Sequence, residues 1–368
     1  MTLFSEYKKG SLHLKNRVVM APMTRSRSDA DHVPTDIMIK YYAQRANAGL
    51  LITEGTSPSI NGAGYARIPG IYNEAQVEAW KKVTDAVHEA GGKIFVQLMH
   101  SGRVTHPENL SAGGQIVAPS PIRLEDTKMY VDGKGELDIP VPTEMSIDDI
   151  AVAIEEYAAA SKMAIRAGFD GVELHAANGY LIEQFISPTS NNRTDSYGGS
   201  VENRSRFALE VTRVVVAAIG KEHVGIRLSP YGVMNEVGFD KEVDETFNYL
   251  AKHLNEIGIT YIHLLDHSPM GAPDVPQSIK KSIREKFDGT IILCGGYDKE
   301  KAERDLEADL GDAIAFGRPY IANPDLVLRM KHDEELNDPN PDTFYTPGAE
   351  GYIDYPILEH HKEKVAMA

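Results

Sequence analysis

Between Asp170 and Gly199 the chain reads DGVELHAANGYLIEQFISPTSNNRTDSYGG. A short apolar stretch, 171–174, runs straight into His175, Asn178 and Tyr180. This puts an imidazole, an amide and a phenol where a buried strand meets a loop. Each donates a hydrogen bond when neutral, and of the three only the imidazole titrates near neutral pH. The set suits gripping a carbonyl oxygen and delivering a proton. It suits a divalent metal poorly, because no carboxylate sits beside the histidine in the sequence.

Such residues need a scaffold that brings them to one place, and the rest of the chain supplies a repeating one. Apolar strands are expected at 17–21, in LLITEG, in KIFVQLMH, at 171–174, and in VGIRLSP, TYIHLL, TIILCGG and DAIAFGR. Helical patterns at 35–47, 74–90, 146–167, 201–219, 241–257, 277–287 and 299–308 alternate with them, and a last helix begins near Pro324. Strands apolar on both faces, each followed by a helix, belong to parallel sheets, and eight such units close into a (β/α)8 barrel. An open doubly wound sheet would use fewer units and usually a glycine-rich first turn. No G-x-G-x-x-G follows any strand, and no Walker sequence occurs. The expected fold class is α/β, a TIM barrel, with 1–368 as a single domain and an N-terminal hairpin cap that includes SLHLKN. The Pro- and Gly-rich excursion 100–145 after strand three reads as a lid or binding loop. The irregular tail 337–368 is expected to contribute to the site.

Barrel chemistry gathers at the C-terminal mouth of the strands. Strand one delivers Ala21, Pro22, Met23 and Thr24 there. Strand two delivers Glu54 and Gly55, strand three Gln97, Met99 and His100, and strand five Arg227. Strands seven and eight deliver Gly295, Gly296, Gly317 and Arg318. No lysine stands at a strand end, which argues against a Schiff-base aldolase. No cluster of carboxylates and histidines offers a metal site, and Glu54 is too isolated to form a glycosidase pair. What remains is Thr24 and Gln97, which donate and accept around a flat heterocycle, and Arg227, which holds negative charge at the barrel centre. The paired glycines and Arg318 match the phosphate cradle common in this fold. One phosphate plus one flat polar ring describes flavin mononucleotide.

The formal net charge of −16 argues against nucleic acid or an anionic membrane as partner. The opening MTLFSEYKKG lacks the apolar core of a secretory signal, and no apolar stretch approaches a membrane span. A cytoplasmic protein, monomer or homodimer, is the expectation. The one cysteine, Cys294, cannot form an internal disulfide, an iron–sulfur cluster or a zinc ribbon. Lying in TIILCGG, it is expected to be a buried structural thiol.

The candidate residues sit inside longer matches. APMTRSR, YYAQRANAGLLITEGT, VQLMHSGR, GFDGVELHAANGYLIEQFISPTSNNRTDSYGGSVENR, IRLSP, AFGRPYIANPDL and GAEGYIDYP together run over nearly the whole chain. In these stretches the sequence resembles the old yellow enzyme family of FMN-dependent ene-reductases, in particular the bacterial alkene reductases typified by N-ethylmaleimide reductase and morphinone reductase. The resemblance implies an NAD(P)H:alkene oxidoreductase, using NADPH or NADH, that reduces the C=C bond of α,β-unsaturated carbonyl and nitro compounds in a ping-pong cycle. It implies that Ala21, Pro22, Met23, Thr24, Gly55, Gln97, His175 and Arg227 bind the flavin ring, with Thr24 on its C4 carbonyl and Arg227 near N1 and O2. Gly295, Gly296, Gly317 and Arg318 would hold the phosphate. His175 and Asn178 would bind the substrate's activating oxygen, and hydride would pass from flavin N5 to the β carbon. Tyr180 would protonate the α carbon. Tyr65, Met99 and Tyr352 would shape the substrate cavity. Many relatives carry His where this chain has Asn178 and Trp where it has Met99. Reduction of nitrate esters or nitroaromatics, and a non-redox lyase or isomerase using Glu54 or His175 as base, stand as alternatives.

Overall fold

The structure is a computed structural model that describes residues 1–239 and 241–358. Among these residues eight parallel strands close into a barrel: Val18–Met20, Leu50–Thr56, Ile94–Leu98, Gly171–Ala176, Val224–Leu228, Tyr261–Leu265, Thr290–Cys294 and Ala313–Phe316. Each pairs with its neighbours in sequence order. The ring closes where Ile314 of the eighth strand lies opposite Val18 of the first. All eight strands are buried along their whole length. Their β-branched and aliphatic residues face the barrel interior on one side and the helix layer on the other, which is why no polar alternation marks them. The fold is the expected (β/α)8 TIM barrel.

The surrounding helices are set by local chemistry. The helix Glu74–Glu89 turns Val77, Trp80, Val83 and Val87 onto the barrel at helical spacing. Its first turn is capped by the Asn73 side chain, which accepts from the Gln76 N–H. The helix Ile147–Arg166 opens on a reciprocal box between Ser146 and Asp149. Gly258 ends Val243–Ile257 in a left-handed conformation. Two short helices, Leu181–Ile186 and Arg318–Ala322, were not expected from the pattern. The first is buried on every side, so it has no polar face to show a period.

Three additions frame the barrel. An antiparallel hairpin, Tyr7–Lys9 with Leu12–Leu14, plugs the N-terminal end. Its Tyr7, Leu12 and Leu14 join one apolar cluster with Val19, Leu50, Phe95, Tyr261, Ile292 and Ala313 from inside the barrel. The excursion after strand three carries a second hairpin, Lys128–Val131 with Gly135–Asp138. Its Met129 clusters with Val104, Leu124 and Ile139, and Tyr65 and Tyr180 pack against that cluster. Arg103 ties the excursion to the loop after strand five by donating to the carbonyls of Asn235 and Glu236 at 3.1 and 3.0 Å. The Glu236 carboxylate answers by accepting from the N–H groups of Glu125, Asp126 and Thr127.

The third addition is the late segment. Arg25 donates to the carbonyls of Phe344 and Gly351, and Arg27 to those of Thr343, Phe344, Gly348 and Glu350. Two guanidiniums just past strand one thereby hold residues 343–351 over the mouth. Of the expected tail 337–368, the part from 359 lies outside the described residues. Among the described residues no helix is long and apolar enough to cross a membrane.

Candidate active site

A cavity of about 570 Å³ opens at the C-terminal mouth of the strands. It is lined by Ala21, Pro22, Met23 and Thr24 from strand one, and by Gly55 from strand two. Gln97 and Met99 come from strand three, His175, Asn178 and Tyr180 from strand four, and Arg227 from strand five. Gly295, Gly296, Gly317 and Arg318 close the far side. The residues singled out as cofactor ligands therefore border one space, together with His175, Asn178 and Met99. Tyr65 and Tyr352 do not line it. Tyr65 stands one layer behind, its hydroxyl 3.0 Å from that of Tyr180. The expectation for Tyr352 is corrected. Its ring is fully buried, stacked on Tyr41 with centroids 4.0 Å apart, with the Arg25 and Arg27 guanidiniums over it. Phe344 and Tyr345 occupy the rim instead.

The trio from strand four is held by its backbone. Asn178 takes a left-handed φ of +61°, and Gly179 follows at +73°. This double turn swings Asn178 and Tyr180 back over the strand end. Asn178 N–H donates to Ser229 Oγ at 3.1 Å, and its carbonyl accepts from Asn235 Nδ2 at 2.7 Å. Glu183 fastens the same turn, accepting from Gly179 N–H at 2.6 Å and from Ser229 Oγ at 2.5 Å. Burial lifts the Glu183 carboxyl to about 7. The His175 and Tyr180 rings meet edge-on, centroids 5.0 Å apart. His175 Nε2 and Asn178 Nδ2 lie 3.4 Å apart. An oxygen placed against both meets two donors when the ring proton is on Nε2. Burial, and the nearby Arg227 charge, hold the imidazole well below its usual range, so it is neutral. Burial raises the Tyr180 phenol, while the Tyr65 hydroxyl works in the opposite direction. Tyr180 thus keeps its proton until an acceptor is beside it, and Tyr65 stands ready to donate to the phenolate that remains.

Beneath the cavity lies a buried charged layer. Glu173 accepts from Gln97 Nε2 at 2.8 Å and from Tyr261 Oη at 3.1 Å, and its other contact is His263 Nδ1 at 2.8 Å. Burial alone would raise this carboxyl, but His263, Arg227 and Gln97 outweigh it and hold it low. His263 is raised in turn by Glu173 against its burial. Arg227 donates to Cys294 Sγ at 3.5 Å. Cys294 is buried as expected, within the apolar cluster of the barrel interior, and it also borders this polar layer and the cavity. Burial pushes its thiol up, yet His263 and Arg227 bring it below the ordinary range.

At the far side Gly295 (φ +130°) and Gly296 (φ +58°) bend sharply after strand seven. A Cβ on Gly295 would strike the Asp266 carbonyl, and one on Gly55 would strike the Met99 side chain. These positions keep backbone close to the cavity. The Arg318 side chain is exposed at the rim. Glu54, weighed above as a possible base, points away from the cavity. Its carboxylate accepts from the N–H groups of Arg25 and Ser26 at 3.1 and 3.3 Å, and burial lifts it to about 7. His267 and Asn235 were not picked out from the sequence. His267 stands two residues past the end of strand six, as Asn178 does past strand four, and that shared offset was the available signal.

The NADH:flavin oxidoreductase / NADH oxidase family matches residues 2–337. Over 356 residues, 95% of each chain, the sequence is 43% identical to a probable flavin mononucleotide-dependent alkene reductase of Leishmania infantum. The solved structure of morphinone reductase superposes with a TM-score of 0.93 at 44% identity, covering 97% of this chain and 96% of that one. An old yellow enzyme homologue from Zymomonas mobilis superposes with a TM-score of 0.92 at 41% identity, covering 97% and 100%.

Proposed function

Since this chain belongs to the NADH:flavin oxidoreductase / NADH oxidase family, in its old yellow enzyme branch, we infer that its cavity holds FMN and reduces electron-poor alkenes with electrons from NADH or NADPH. The observation that carries the reading is the converging pair of His175 Nε2 and Asn178 Nδ2, 3.4 Å apart, with the Tyr180 phenol beside them. A carbonyl or nitro oxygen seated on that pair loses electron density to two donors, which lowers the barrier to hydride arriving at the β carbon. When bound, the flavin supplies that hydride. Tyr180 delivers a proton to the α carbon from its buried hydroxyl, and Tyr65 stabilises the phenolate by donating to it.

The residues present fit the cofactor. His175 Nδ1 and Arg227 Nε are buried without a protein partner, as suits polar atoms meant for a heterocycle with its own donors and acceptors. Thr24 and Gln97 border the same face, Arg227 offers positive charge to an anionic ring, and the backbone at Gly295, Gly296 and Gly317 with Arg318 offers a phosphate cradle. One cavity serving both nicotinamide and alkene makes the cycle ping-pong. Met99 lies against Gly55 and Tyr65 backs Tyr180, so both act on substrate fit. The acidic balance favours an enzyme working in the cytoplasm, free of nucleic acid, as a monomer or homodimer. Nitrate esters and nitroaromatics are further oxidants that the same donor pair would accept.

Purified protein should carry a flavin spectrum, bleach with NAD(P)H in the absence of air, and recover colour on addition of cyclohexenone. Protein that stays colourless after incubation with FMN, or a reduced flavin that cyclohexenone leaves bleached, would falsify this reading.

A further inference from the structure

We propose that His267 is a positioning residue for substrate recognition, which fixes the Asn178 amide as a hydrogen-bond donor; the inference rests on the functional reading above. A carboxamide has a donating and an accepting side, and a half-turn about its terminal bond exchanges them. With its NH2 toward a substrate oxygen, Asn178 attracts; with its carbonyl there, it repels. Something must choose between the two.

The choice lies in a short contact. Asn178 Oδ1 is 2.7 Å from His267 Nε2. That separation is at the short end for N–H···O, so the ring proton lies between them and the oxygen is the acceptor. His267 is 2% exposed, and burial with the Arg227 charge brings it down to about 4, so it is neutral with a single ring proton. Placed on Nε2, that proton leaves Nδ1 bare, and Nδ1 has no hydrogen-bond partner. With Oδ1 engaged, Nδ2 is turned to the side of His175 Nε2. The Asn178 backbone is already pinned by Ser229 and Asn235, which leaves the amide turn as its remaining freedom. His267 removes it from a rigid base: it closes strand six and accepts from Met270 N–H at 2.8 Å.

The test is a binding measurement on the FMN-loaded enzyme, using 4-hydroxybenzaldehyde, a phenol whose oxygen stands in for the substrate carbonyl. His267→Phe keeps a ring of similar volume without the donor, and His267→Leu is a second donorless variant should the first not accumulate folded. Either should weaken the phenol about tenfold, the scale of one net hydrogen bond, with flavin content at the parent level. His267→Gln, which keeps an N–H near the same point, should recover affinity to within about threefold, again well under the energy of one bond. In an Asn178→Ala background the Phe substitution should add less than about twofold, because the two residues act as one unit. Parent-like affinity in the donorless variants, or a full additional loss on top of Asn178→Ala, overturns the inference alone. A parent enzyme that takes no flavin or no phenol overturns the functional reading and this inference with it.

Discussion

The two ends of the barrel are built from the same eight strands and differ in what they leave unfinished. At the N-terminal end the hairpin fills the opening with Tyr7, Leu12 and Leu14, and the polar atom it buries is paired, Tyr7 Oη lying 3.0 Å from Thr290 Oγ1. At the mouth His175 Nδ1, Arg227 Nε and His267 Nδ1 are buried without hydrogen-bond partners. A buried polar atom without a partner costs about 1–3 kcal/mol. The floor is therefore built for stability, with Arg17 Nε beside the Tyr7 ring left unpaired, and the mouth carries the larger debt, one that a polar ligand can settle. Stability and chemistry are separated along the barrel axis, and variants should sort by end.

The largest effect should come from the mouth. Tyr180→Phe should slow oxidation of reduced flavin by an alkene by about 10²–10⁴-fold, the range for a lost general acid, while reduction by NAD(P)H and thermal stability stay near the parent. Stopped-flow traces of the two half-reactions decide it; equal slowing of both would erase the assigned role. At the floor the reverse is expected. Leu14→Ala should cost about 2–5 kcal/mol in denaturant unfolding, with turnover per folded molecule unchanged. A variant of parental stability would show that the hairpin is dispensable packing.

Protons should act on the buried carboxyls and imidazoles around the mouth. Glu183 and Glu54 have carboxyls raised from 4.5 to about 7, so between those values the folded state binds more protons than the unfolded chain. Their contribution to stability therefore falls as pH rises through that window. The buried His100 and His267, lowered to about 3 and about 4, pull the other way as pH drops below 6.5. Subtraction isolates one group. The difference in melting temperature between Glu183→Gln and the parent should grow in favour of the variant from pH 5 to pH 8, and a flat difference across that range would show that Glu183 does not titrate there. The smallest effect is Tyr7→Phe, about 1 kcal/mol of unfolding free energy for one buried hydrogen bond, with no change in flavin binding. Loss of flavin from that variant would mean that the two ends are coupled.

Much of this was legible from residues alone. Eight apolar stretches, each followed by a helical period, mark the barrel because parallel strands buried on both faces have no polar alternation to lose. The strand ends named the cavity wall for the same reason: direction along a parallel strand fixes which residues reach the mouth. What escaped is what depends on closure. Leu181–Ile186 shows no period because every side of it is covered. The sequence points Tyr352 to the cavity, but two arginines near the start of the chain claim its ring, a pairing that no local pattern encodes. His267 reaches Asn178 across 89 positions, and Asn235 does so through a left-handed backbone that its sequence does not announce.

The clasp of Arg25 on the carbonyl of Gly351 joins positions 326 apart. The wall that carries Thr24 and the rim that carries Phe344 and Tyr345 are brought together only when almost everything between them has already taken its place. A yellow sample is then an audit of the entire polypeptide. Proteolytic nicks or truncations far from the cavity should announce themselves as bleached protein before any assay of turnover is run.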